Sequence, residues 1–141
     1  MKEEEHQSSG LKEMHAESMG WKSDLKFCLD EFNFFDKLLN SYQYVPDNKE
    51  DFDLRNDLVR DFEELRKSRT DIWESVSNHV NHMGGVFEKG ESVIESSYER
   101  EHQAVKVQVG DFKLQFKSFK QKLFDLADHI LENKKPGDLT S

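Results

Sequence analysis

The sequence predicts an all-α fold, an elongated antiparallel up-down-up bundle of three helices with coiled-coil-like packing. Apolar residues recur at alternating spacings of three and four through three long segments, which is the pattern of helices that share a seam. Pro46 and the pair Gly84-Gly85 separate the segments. Only 35% of the residues are hydrophobic and 35% are charged, a balance typical of long helices that each bury a narrow stripe. We expect residues 11–134 to form a single domain.

The first helix is predicted over residues 11–44. Residues 1–10 are polar and show no periodicity, so they are predicted to be a disordered N-terminal tail. The helix should end before Pro46, because a proline disfavours the helical conformation at the preceding Val45. Its seam residues are Leu11, Met14, Ser18, Trp21, Leu25, Cys28, Phe32, Phe35, Leu39 and Tyr42.

The second helix is predicted over residues 48–83. Asp47 followed by Glu50 resembles a capping box at its start. Gly84-Gly85 is predicted to end it, since glycine readily takes the left-handed conformation that closes helices. Its seam residues are Leu58, Phe62, Leu65, Arg69, Ile72, Val76, His79 and Met83.

The third helix is predicted over residues 92–133. Ser92 and Glu95 form a capping box at its start, and residues 135–141, which include a proline and a glycine, are predicted to be a flexible C-terminal tail. Gly110 is a candidate bend. Its seam residues are Ile94, Tyr98, Glu101, Val105, Val109, Phe112, Phe116, Phe119, Leu123, Leu126 and Ile130.

Short connections between long helices favour antiparallel neighbours, which sets a register. Residues of the first two helices should face each other when their numbers sum to about 94, so Trp21 should lie level with Trp73. With the second connection centred near residue 88, position 103 joins that layer. We also expect a phenylalanine cluster. Its members are Phe32, Phe35, Phe62, Phe112 and Phe116.

Two charged residues, Arg69 and Glu101, occupy seam positions. An unpaired buried guanidinium is very costly, so Arg69 needs a carboxylate or carbonyl partner. Glu101 is a candidate for that partner. A polar functional site inside the bundle is one interpretation of these residues. We favour either an ion pair that specifies the helix register or an Arg69 side chain that extends to the surface.

Histidines and glutamates are predicted to lie near one end of the bundle, and a metal site is the most specific chemical hypothesis that they suggest. Glu99 and His102 have the Glu-x-x-His spacing of di-iron bundles, and the donor set would suit zinc, iron or manganese. The first two predicted helices, residues 11–44 and 48–83, offer no second Glu-x-x-His, and neither the His-x-x-x-Glu nor the His-x-x-x-His spacing of hemerythrin-like sites is present. The candidate ligands are His15, His79, His82, Glu95, Glu99 and His102.

The competing interpretation of these histidines is structural, and we favour it. Under it, His79 is a seam residue that forms a hydrogen bond to a neighbouring helix. The remaining histidines considered, His15, His82, His102 and His129, would lie on the surface.

Composition excludes several classes of function. The chain has 29 acidic and 20 basic residues and a net charge of −9, which disfavours nucleic acid as a partner. No segment approaches the roughly 20 apolar residues of a membrane span, and we expect a soluble, cytoplasmic protein. A single cysteine, Cys28, permits no intramolecular disulfide. No catalytic or nucleotide-binding motif is present, so we expect neither an enzyme nor a cofactor.

The sequence therefore favours a non-enzymatic structural or protein-interaction bundle. The alternative is a metal-binding bundle that uses the histidines and glutamates named above. The third predicted helix exceeds its partners in length, so its apolar seam around residues 126–131 should be uncovered. We expect that helix, residues 92–133, to bind a protein partner or to form a homodimer.

Overall fold

The chain folds as an all-α bundle of three helices, as predicted. Helix α1 spans Lys2–Leu39, α2 spans Lys49–Lys89 and α3 spans Ser92–Asn133. The structure, a computed structural model, describes residues 2–41, 45–89 and 92–133, and describes side chains for 10–41, 45–85 and 96–132. Within these ranges no strand is present.

The ends of α1 differ from the prediction. The helix begins at Lys2, inside the segment predicted to be a disordered tail, and it ends at Leu39 rather than at residue 44. The carbonyl oxygen of Leu39 accepts hydrogen bonds from Arg55 Nε at 3.1 Å and Nη2 at 2.6 Å. This guanidinium satisfies a carbonyl at the helix end that lacks an intrahelical partner, so the helix stops well before Pro46.

The start of α2 is capped one residue later than predicted. Asn48, and not Asp47, accepts the hydrogen bond from the backbone N–H of Asp51, at 2.8 Å to Oδ1. Its Nδ2 donates to Asp51 Oδ2 at 3.0 Å, so the two side chains hold each other across the first turn.

The prediction that Gly84-Gly85 ends α2 is wrong. Both glycines lie inside the helix, which continues to Lys89. Each glycine costs about 1 kcal/mol relative to alanine in a helix interior, and the helix continues through both. The predicted C-terminal tail, residues 135–141, lies outside the described residues.

The contacts within the bundle divide the chain into two compact units. Unit 1 contains Met1–Cys28 and Ser68–Asp111, and unit 2 contains Leu29–Lys67 and Phe112–Ser141. Each unit contains part of every helix. The boundary on α3 lies between Asp111 and Phe112.

Unit 1 confirms the predicted register of α1 and α2. Arg69 Nε donates to the carbonyl oxygen of Leu25 at 2.8 Å, and these residue numbers sum to 94. Lys22, which follows Trp21, places its Nζ 5.2 Å from the ring centre of Trp73. The apolar core of this unit contains Leu11, Trp21, Leu25, Val76, Met83, Tyr98, Val105 and Val109.

Unit 2 contains the predicted phenylalanine cluster, and all five predicted members are buried. The ring centres of Phe32 and Phe62 lie 5.5 Å apart at an interplanar angle of 90°. Phe119 joins the cluster, with its ring stacked 5.7 Å from Phe62. The register of unit 1 holds here too, because Leu39 and Arg55 also have numbers that sum to 94.

Candidate functional site

The candidate site is a polar cluster in the core of unit 1, assembled from all three helices. Its side chains reach one another because the seam of each helix faces the same core. Helix α1 contributes Glu17 and Trp21, α2 contributes His79 and His82, and α3 contributes Tyr98, Glu101, His102 and Lys106.

Two buried imidazoles form a continuous hydrogen-bond chain between two carboxylates. His79 Nδ1 lies 2.6 Å from Glu101 Oε1, and His79 Nε2 lies 2.8 Å from His102 Nδ1. His102 Nε2 lies 2.7 Å from Glu17 Oε1. His79 is 0% exposed and His102 is 2% exposed, whereas the side chains of Glu17 and Glu101 are 39% and 38% exposed. The hydrogen-bond chain therefore runs from one partly exposed carboxylate to the other through two imidazoles that are buried from solvent.

The geometry of the hydrogen-bond chain determines how many protons its three contacts need. Three contacts need three protons, but two neutral imidazoles have only one N–H each. With both carboxylates ionised, every contact has a donor only when one of the two rings is an imidazolium. With two neutral rings, one of the three contacts would have two acceptors facing each other, which would leave a buried acceptor unsatisfied.

The pKa shift of His79 favours the neutral form of this ring. Burial lowers the pKa of His79, although the hydrogen bond and the charge of Glu101 oppose this. His79 is therefore the neutral ring, which donates from Nδ1 to Glu101 and accepts at Nε2 from His102.

Both carboxylates are stabilised in their ionised form. The hydrogen bond from His102 is the largest cause of the lowered pKa of Glu17, and Lys106, whose Nζ is 3.6 Å from Oε2, lowers it further. Burial alone would raise the pKa of Glu101, but the hydrogen bonds from His79 and His82 outweigh burial and lower it. His82, on the exposed side, places Nδ1 3.0 and 3.1 Å from the two carboxylate oxygens of Glu101.

Aromatic rings cover both imidazoles. Tyr98 stacks on His79 with ring centres 4.1 Å apart and an interplanar angle of 8°, and Trp21 stacks on His102 at 4.7 Å. The buried hydroxyl of Tyr98 has no hydrogen-bond partner among the described residues. Burial raises the pKa of Tyr98 to about 12, with a smaller contribution from the charge of Glu101 and a partial offset from the nearby side chain of Ser18.

The structure brings together three of the six predicted metal ligands, His79, His82 and His102. His15 and Glu99 are exposed, and the side chain of Glu95 lies outside the described residues. The prediction that His102 lies on the surface is wrong, because it is buried against Trp21.

The suggested pairing of Arg69 with Glu101 is also wrong. Arg69 donates to the carbonyl oxygen of Leu25 and places its guanidinium carbon 5.1 Å from the ring centre of Trp73. Burial lowers the pKa of Arg69, with a partial offset from Cys28. Glu101 contacts His79 and His82 instead.

The arrangement is that of a hydrogen-bond chain and not of a metal coordination sphere. Nitrogens that bind one tetrahedral zinc lie about 3.3 Å apart, given Zn–N distances of about 2.0–2.1 Å. His79 Nε2 and His102 Nδ1 are closer, at 2.8 Å, and face each other. Among the described residues, no group of three or more histidine, cysteine, aspartate or glutamate side chains is arranged to hold a metal ion.

The buried histidines are also unsuited to act on an external substrate. All four ring nitrogens of His79 and His102 are engaged in the chain. A general base must have a nitrogen within reach of the proton it removes. In this geometry the cluster is a structural element of the core. A proton can move within it only along the hydrogen-bond chain.

Sequence reasoning missed Glu17 as a member of the site. Glu17 lies beside the α1 seam, one position before Ser18, and nothing in its spacing distinguishes it from other surface acids. Only a register that relates α1 to α3 could have placed it next to His102.

The chain matches no protein-family model, no curated protein and no solved structure in comparisons with known proteins. Within the described residues, no helix is both long enough and apolar enough to cross a membrane.

Proposed function

We propose that this chain is a non-enzymatic protein-interaction bundle that self-associates through the α1–α3 side of unit 2. The observation that carries the proposal is an exposed aromatic surface at Phe34 and Phe124. Their side chains are 55% and 43% exposed, and their ring centres lie 5.7 and 5.8 Å from that of the buried Phe35. We call Phe34 and Phe124 the aromatic flank.

Aromatic side chains anchored on a buried core are typical of interface hot spots. They supply large apolar contacts from positions that the core beneath them holds still. Phe34 and Phe124 sit on different helices yet share the ring of Phe35, so the flank is continuous and not a pair of scattered residues.

The charges beside the aromatic flank suit a second copy of the same chain. Lys120 Nζ contacts Glu31 Oε2 at 3.2 Å, and these residues lie one turn before Phe124 and Phe34 on their helices. A positively charged and a negatively charged side chain are therefore both present near the aromatic flank. The repulsion expected between two chains of net charge −9 should be smallest at such a mixed surface.

Light scattering at tens of micromolar tests this proposal. We expect the wild-type chain to have twice the monomer mass of 16.6 kDa. Phe124→Glu places a charge in the flank and should give a monomer. Leu114→Glu is the matched control, because Leu114 lies on the same helix and is 68% exposed, and it should leave the dimer intact.

Two results would contradict the proposal: a wild-type monomer at these concentrations, or equal masses for the two glutamate variants. Circular dichroism of both variants checks that the helices persist.

The metal-binding alternative stays a prediction, favoured by the convergence of His79, His82 and His102. A bound ion would have to separate the two ring nitrogens that now share a hydrogen bond. Elemental analysis of protein purified with and without added zinc or iron tests it. Less than about a tenth of an equivalent of bound metal would exclude this alternative.

A further inference from the structure

A second surface of unit 2, separate from the aromatic flank, is a groove between α2 and α3 with a volume of about 880 Å³. Three leucines line it, of which Leu58 and Leu126 are buried and Leu54 is 48% exposed. We call it the acidic groove because carboxylates dominate its remaining lining. The polar lining residues are Glu50, Asp51, Asp57, Arg60, Asp61, Glu64, Lys122, Asp125 and His129.

Six carboxylates line the acidic groove against two permanent cations, Arg60 and Lys122. One carboxylate is partly neutralised, because Asp57 pairs with Arg60. Asp51 is buried and fixed by Asn48 and by His129, whose Nδ1 lies 2.9 Å from Asp51 Oδ2. The groove therefore has a negative rim that is held partly in place.

We infer that the acidic groove binds a basic amphipathic helix of a partner protein. This inference rests on the proposed function, that the chain is an interaction module, but it concerns a different surface and a different partner. The apolar face of such a helix would contact the leucines, and its lysines or arginines would face the carboxylates. Helix-in-groove recognition of this kind uses apolar anchors one turn apart.

The dimensions of the groove match a short helix. Its α2 wall runs from Glu50 to Glu64, which is four turns or about 21 Å at the usual rise per residue. Leu54 and Leu58 are one turn apart on that wall, and Leu126 faces them from α3. A partner helix of about four turns can therefore place successive apolar anchors along the leucines.

Charge decides between this partner and a second copy of the chain. Each copy has a net charge of −9, so an acidic groove would repel most of the surface of another copy. A basic helix gains attraction along the whole rim. Such complementarity raises association rates and makes binding sensitive to salt.

A titration of the full-length chain with a fluorescent model peptide tests the inference. The peptide has sixteen residues, with leucines at helical spacing on one face and lysines on the other. A peptide of the same composition in scrambled order is the control. We expect saturable binding of the patterned peptide, at least about tenfold tighter than that of the scrambled one, and weaker binding at high salt.

Charge reversal at the rim locates the site. The double variant Asp61→Lys/Glu64→Lys should weaken binding by about tenfold or more. The matched control, Asp71→Lys/Glu74→Lys, makes the same change in net charge at exposed positions of α2 in unit 1, and it should leave affinity within about twofold. Leu54→Glu, at an exposed position of the floor, should also weaken binding.

Three results would overturn the inference: no saturable binding of the patterned peptide, equal binding of the scrambled peptide, or equal effects of the two charge-reversal pairs. Failure here is distinguishable from failure of the proposed function, because the latter is read from the mass of the chain without peptide. A dimer that ignores the peptide would refute the acidic groove alone, and a monomer that binds the peptide would refute self-association alone.

Discussion

The two units of this bundle use opposite means to fill a core built from the same three helices. In unit 2, the phenylalanines pack ring against ring, and the ring of Phe62 contacts those of both Phe32 and Phe119. In unit 1, the centre is a pair of imidazoles, His79 and His102, whose nitrogens are all engaged. Apolar packing is insensitive to pH, whereas a hydrogen-bond chain depends on the number of protons it holds.

The difference between the two cores suggests that the two units have different roles. A buried polar chain tolerates few alternative arrangements, because each displaced member leaves an unsatisfied group. Unit 1 therefore favours a single helix register. Unit 2, with a core that depends on volume and shape, has the aromatic flank and the acidic groove on its surface, and the proposed partner binding involves this unit.

The largest expected loss of stability follows the removal of an aromatic ring from the core of unit 2. Phe62 is 1% exposed, so Phe62→Ala should lower the free energy of unfolding by about 3–5 kcal/mol through lost contacts and a cavity. Urea unfolding followed by circular dichroism measures it. A loss below about 1 kcal/mol would show that unit 2 does not depend on this cluster.

Removal of the central imidazole from unit 1 should have a somewhat smaller effect. His79→Phe keeps a ring stacked on Tyr98 but leaves His102 Nδ1 without an acceptor, so we expect a loss of about 2 kcal/mol. Unfolding followed by tryptophan fluorescence reports it, because Trp21 stacks on His102. An unchanged or raised stability would mean that apolar packing alone supports this core.

The pH dependence should separate the two cores. His79, Glu17 and Glu101 have folded-state pKa values below their ordinary values, so at these three groups the unfolded chain binds more protons in acid, and their contribution to stability declines as the pH falls. The contribution of His79 is complete above its ordinary pKa of 6.5 and declines below it. Those of Glu17 and Glu101 decline below 4.5.

Unfolding free energies measured between about pH 7 and about pH 5 test this dependence. His79→Phe should lose most of the wild-type slope in that range, and Phe62→Ala, the control in unit 2, should keep it. Equal slopes for the two variants would assign the pH dependence to other groups.

The smallest expected effect concerns Tyr98. Because its buried hydroxyl lacks a partner among the described residues, Tyr98→Phe should stabilise the chain by up to about 1 kcal/mol while the stacking on His79 persists. Thermal unfolding at neutral pH measures this change. A clear loss of stability would show that the hydroxyl contributes a favourable contact.

The sequence predicted the apolar parts of this structure well because heptad spacing reports directly on burial. The α1–α2 register followed from Pro46 and was correct at both Leu25 with Arg69 and Leu39 with Arg55. The α2–α3 connection was placed too early because Gly84-Gly85 continues the helix to Lys89.

The polar site was only partly predictable. The connection between α2 and α3 lies later in the sequence than predicted, so Glu101 lies next to His79 and His82. Arg69 instead forms its hydrogen bond with the carbonyl oxygen of Leu25. Hydrogen-bond partners on different helices depend on axial positions to within one turn, which spacing along one helix does not determine. For this reason His102 was assigned to the surface.

The measurement that most directly tests the account of the two cores is NMR of the imidazole nitrogens and their protons at neutral pH. We expect His79 to be neutral with its N–H at Nδ1, and a proton donated by His102 to lie between His79 Nε2 and His102 Nδ1. That result would show that both hydrogen bonds of His79 in the core of unit 1 have a donor. Two neutral rings with no proton between the facing nitrogens would contradict it.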